Sequence, residues 1–88
     1  MKIKNGFVIE KVAESYLACA TGELAEKFSG FIRLNETGAF LWSKLAERDM
    51  TKEELVSSLR SEYDVTEEIA ERDVAAFILA LSNNGIIE

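Results

Sequence analysis

Hydrophobic and polar positions along this chain follow two different rhythms, a period of two over the first third and a period near 3.6 after it. Residues 7–12, Phe-Val-Ile-Glu-Lys-Val, and 16–20, Tyr-Leu-Ala-Cys-Ala, are short β-rich runs separated by Ala13, Glu14 and Ser15, a spacing that predicts an antiparallel hairpin. Residues 21–29 hold Gly22, Glu23, Glu26 and Lys27 and read as a connecting loop, with Phe28 as its one anchoring aromatic. A third strand follows over 31–34, where alternation puts Ile32 and Leu34 on one face and Phe31 and Arg33 on the other.

At Asn35 the period lengthens. The Asn35 side chain suits a helix cap and Glu36 suits the positive end of the helix dipole, while Gly38, Leu41, Trp42 and Leu45 fall on one stripe that ends near Arg48 and Asp49. Phe40 lies off that stripe and is a candidate for an exposed aromatic open to a protein contact. Thr51-Lys52-Glu53-Glu54 is a capping box that opens a second helix over 52–63, with Leu55, Val56, Leu59 and Tyr63 on one face. Thr66 caps a third helix, whose inward stripe reads as Ile69, Val74, Phe77, Ile78 and Leu81. Asn83-Asn84-Gly85 stops it, with Gly85 left-handed and Ile86 folding back on Leu81; Ile86 and Ile87 are then expected to run alongside the sheet. The order predicts an α+β fold, a three-stranded antiparallel sheet followed by three helices, in one domain over 1–88. Two capped helices joined by Asp64-Val65 also read as a helix-turn-helix.

Composition narrows the function classes. The 88 residues are 48% apolar and 30% charged without proline, values of an ordinary globular chain. Cys19 has no second cysteine to pair with, no signal-peptide pattern opens the chain, and the longest apolar run, 74–81, is too short to span a bilayer. A cytoplasmic location is expected, with no membrane partner. The net charge of −6 is uneven: residues 1–35 carry five Lys/Arg against four Asp/Glu, residues 36–88 five against twelve. Nucleic-acid binding depends on neutralising phosphates with Lys and Arg, so the acidic helical half argues against that partner.

Histidine is absent, which removes the commonest general base and metal ligand. Cys19 sits in an apolar strand run without a partner base, as a structural thiol does. Glu53, Glu54, Glu67, Glu68, Glu71 and Asp73 read as caps, dipole partners and solvated faces. No catalytic residue, metal site or cofactor is expected.

The junction Ile32-Arg33-Leu34-Asn35-Glu36-Thr37-Gly38-Ala39 with Leu41-Trp42, the run Thr51-Lys52-Glu53-Glu54-Leu55 with Tyr63-Asp64-Val65, and Asp73-Val74 with Phe77, Leu81 and Asn84-Gly85 together resemble the PqqD family. The resemblance implies a winged helix-turn-helix that binds peptides rather than DNA. It implies a non-catalytic recognition element that captures the leader of a ribosomally made precursor peptide and presents it to a modifying enzyme of the radical S-adenosylmethionine type. It further implies a peptide groove between the third strand and the third helix. If that strand is a sheet edge, its unpaired backbone groups can template an incoming strand along Gly30, Phe31, Ile32, Arg33 and Leu34. Asp73, Ala76, Phe77 and Ala80 then line the opposite wall. Read without the family, Phe31 and Phe77 also fit core aromatics and Arg33 and Asp73 solvated charges. Two readings from other classes stay open: a helix-turn-helix transcription regulator, which calls for a basic recognition helix, and a structural subunit that pairs the same strand edge into a homodimer.

Overall fold

The computed structural model of the protein describes residues 1–22, 24–27 and 31–87. Strand β1 (Phe7–Val12) pairs antiparallel with β2 (Ser15–Ala20), with Val12 opposite Ser15. The turn is therefore only Ala13-Glu14, and Ser15, expected in the turn, belongs to the strand. So tight a hairpin requires a positive φ at its first central residue, and Ala13 takes it at 57°. A side chain there costs roughly 1–2 kcal/mol. Where the sequence predicts a plain loop, a single helical turn forms, α1 (Leu24–Lys27); one turn is too short to display a period. Phe28 lies outside the described residues.

Strand β3 (Phe31–Leu34) pairs antiparallel with β2, from Phe31 opposite Cys19 to Leu34 opposite Tyr16. The sheet order is β1-β2-β3, so β3 is an outer strand. Ala18 and Leu34 are buried and Ile9, Tyr16 and Ile32 pack against the core on the face toward the helices. The other face holds Val8, Phe31 and Arg33 exposed to solvent.

Asn35 joins β3 to α2 (Glu36–Glu47) directly, its Oδ1 accepting the Gly38 N–H at 2.8 Å and the Thr37 hydroxyl at 3.0 Å. Helix α3 (Lys52–Glu62) opens on the capping box: Thr51 Oγ1 accepts from the Glu54 N–H at 3.1 Å, and Glu54 Oε1 accepts from the Thr51 N–H at 3.0 Å. Thr66 caps α4 (Glu67–Asn83) through the Ile69 N–H. The three helices pack on one another, with α2 resting on β2 and β3. Leu41, Trp42, Leu45, Leu55, Leu59, Val74, Phe77, Leu81 and Ile86 form the core. This α+β arrangement fits a winged helix-turn-helix.

Three side chains depart from expectation. Phe40 is half-buried rather than free, because the Tyr63 ring meets it edge-on at 5.6 Å and the Lys44 ammonium lies 5.4 Å from its centroid. Ile69 is 38% exposed and Ala70 takes its place in the core. At the end of α4 the Gly85 N–H donates to Ser82 and the Ile86 N–H to Leu81, with Gly85 at φ 67°, as a glycine stop requires. Ile87, however, bridges Ile3, and the Lys4 N–H donates to Ile86 O at 2.8 Å. The final residues thus pair with the segment ahead of β1 rather than with the sheet.

Candidate functional site

The open side of β3 is where backbone groups lack a strand partner among the described residues, and a groove of about 540 Å³ runs beside it. Arg33 and Leu34 form its strand wall, the start of α2 from Asn35 to Gly38 closes one end, and Asp73, Ala76, Phe77 and Ala80 form the α4 wall. The abrupt strand-to-helix passage at Asn35 makes this possible, because it turns α2 away within one residue and leaves α4 facing the strand edge. Ala76 and Ala80 keep the α4 wall low between Asp73 and Phe77, and Gly38 lets the helix start approach the strand. A Cβ on Gly38 would meet Asn35 Oδ1 at 3.1 Å and Leu34 Cβ at 3.3 Å, so the helix start lies as close to the strand as backbone allows.

Of the residues the sequence nominated, Arg33, Leu34, Asp73, Ala76, Phe77 and Ala80 come together around this groove. Phe31 and Ile32 lie on the same strand but not in its lining; Phe31 is 58% exposed on the outer face, and Ile32 packs inward. Gly30 lies outside the described residues. Phe77 and Leu34 serve two purposes, since both belong to the buried core and their edges floor the groove. Glu14 and Ser15 at the hairpin turn, and Thr37 and Gly38 on α2, also line it and were not nominated. Gly38 carried a signal, a glycine on an otherwise apolar helix stripe; Glu14 and Ser15 carried none, because only the β2–β3 register brings that turn beside Leu34.

The groove is amphipathic, an apolar floor between charges of opposite sign. Asp73 has the Arg72 Nε at 3.7 Å, while among the described residues no ion pair engages Arg33 and none joins it to Asp73. A larger cavity of about 620 Å³ lies between α3 and α4, edged by Lys52 and Arg60 and by Glu53, Asp64, Glu67 and Glu71. No strand residue lines it, so it offers no comparable arrangement. Among the described residues no group of His, Cys, Asp and Glu is placed to hold a metal ion, and no helix is long and apolar enough to cross a membrane.

Two solved structures share the whole fold. TbiB1, in complex with the TbiA(beta) leader peptide, is 27% identical and superposes with a TM-score of 0.75 over 100% of this chain and 95% of its own. Lasso peptide synthetase B1, complexed with the leader peptide, is 23% identical with a TM-score of 0.71 over 99% of this chain and 95% of its own, a likeness of fold. No curated protein matches. The family model described as coenzyme PQQ synthesis protein D matches residues 9–87, nearly the full length of the fold, and the chain belongs to the PqqD family.

Proposed function

We propose that this protein is a non-catalytic module that captures the leader of a ribosomally made precursor peptide as an added strand on β3 and presents the precursor to a modifying enzyme. The observation that carries this reading is the open β3 edge beside a groove whose far wall is Ala76 and Ala80. An extended peptide laid on that edge pairs its main chain with 31–34, and its alternate side chains drop toward α4 into the space those alanines leave. Affinity comes from the backbone ladder and selectivity from the pockets. TbiB1, which shares this fold, was solved with a leader peptide. A radical S-adenosylmethionine enzyme is the partner class implied by the family resemblance, acting in the cytoplasm.

The test titrates the isolated protein with a synthetic leader from a short precursor encoded beside it and follows backbone amide shifts. Residues 31–35 and 73–80 should move. Ala76→Trp fills the groove from an exposed position without displacing a core residue, so it should weaken binding at least tenfold while the unfolding midpoint holds. Shifts confined to β1 or to α3 overturn the reading. If titration instead reports a symmetric dimer through β3, the edge serves self-association, and the structural-subunit reading replaces this one.

A further inference from the structure

Resting on that reading, we infer that Arg33 and Asp73 select the leader by charge, requiring an acidic residue on the added strand directly opposite Arg33 and apolar residues on either side of it. The two charges stand on different sides of the strand edge. By strand alternation Arg33 falls on the outer row with Leu17 and Glu10 and borders the groove at its strand edge, whereas Asp73 stands on the α4 wall that the inward side chains of a bound strand approach.

Distances decide which group an incoming acid feels. Opposite residues on neighbouring strands bring their Cβ atoms to about 5 Å, so an acid facing Arg33 is within ion-pair reach of a guanidinium that no carboxylate of the described residues engages. Glu10 shares that cross-strand row but lies three strand spacings from the peptide, about 14 Å, beyond a Debye length at physiological salt. Glu14 lines the groove at the hairpin turn, beyond the Leu34 end of the strand, and biases the acid toward Arg33. The residues before and after the acid point inward, over Leu34, Phe77 and the alanines, where an apolar side chain gains burial.

Asp73 supplies the negative half of the selection. Slipping a strand by one residue turns every side chain to the other face. A leader that slips on β3 carries its acid inward toward Asp73, whose side chain is only 33% exposed while its ion partner Arg72, at 3.7 Å, is 75% exposed and screened by solvent, and puts its apolar neighbours into water. Attraction at Arg33 and repulsion at Asp73 therefore favour the same register, which a short edge strand of 31–34 cannot fix through backbone bonds alone.

The experiment selects binders from a displayed library of random linear peptides and sorts them by amide shifts. Members that move residues 31–34 and 73–80 should share Asp or Glu at one position with apolar residues on both sides. Changing that acid to Lys should weaken binding roughly fivefold, and Arg33→Glu should reverse the preference, the Lys peptide then binding better than the acidic one. Arg33 is exposed, so the variant's fold is confirmed by an unchanged melting curve. Groove-bound peptides with no charge preference, or with a preference that survives Arg33→Glu, overturn this inference and leave the groove reading standing. A library in which no member moves those amides overturns the groove reading itself, and this inference with it.

Discussion

Asn35 does more than any other side chain to shape the groove, since one residue ends β3, caps α2 and leaves Gly38 against Leu34. Asn35→Ala should cost about 1 kcal/mol in urea unfolding, as the loss of a good helix cap does. Gly38→Ala separates stability from binding. The methyl gains helix propensity worth about 1 kcal/mol but crowds Asn35 and Leu34, so stability should change little while leader affinity falls. At Ala13 the strain runs the other way: with φ at 57°, Ala13→Gly should raise stability by about 1 kcal/mol in the same assay. The Asn35 cap was legible in the sequence because a side chain bonding a backbone group three residues on is a local event. Phe77 was only half legible, because periodicity marks a residue as inward without telling whether its edge also reaches a groove. For that reason Phe77→Ala is a poor probe of binding: it opens the core and should cost about 3–5 kcal/mol of stability.

Among the elements, α2, α3 and α4 could be read closely from caps and stripes, and β3 from its alternation. Helix α1 could not, since a single turn has no period, and Ile69 was misplaced because the α4 stripe is set by what packs against it, which favoured Ala70. The α3 capping box also gives the element a pH dependence. The Thr51 N–H, and then Arg48 with its Nη1 at 3.1 Å, hold the Glu54 carboxyl below the usual glutamate value. A carboxylate favoured in the native state contributes stability that is present above its unfolded-state value, near pH 4, and is lost as pH falls through the lower native one. The stability difference between the wild type and Glu54→Gln should therefore shrink steadily as the pH is lowered from neutral through that range. A difference that stays constant with pH assigns the effect to the hydrogen bond alone.

For the whole molecule, topology places a helix-turn-helix in the domain while charge removes its usual use. Helix α4, in the place of a recognition helix, carries Arg72 against Glu67, Glu68, Glu71 and Asp73 within a chain of net charge −6. Duplex DNA should bind no tighter than about 10⁻⁴ M at physiological salt, checked by anisotropy titration, because an acidic face releases no counterions. The fold class was readable from element order; that β3 would be the outer strand was not, because hairpin spacing fixes which strands are neighbours but not which edge stays open. The pairing of Ile3 with Ile87 bears on how such a module can be built into larger proteins. It brings the polypeptide in and out of the fold at a single doorway. A host protein could accept the unit as an insertion at a surface loop, keeping its own backbone almost where it was.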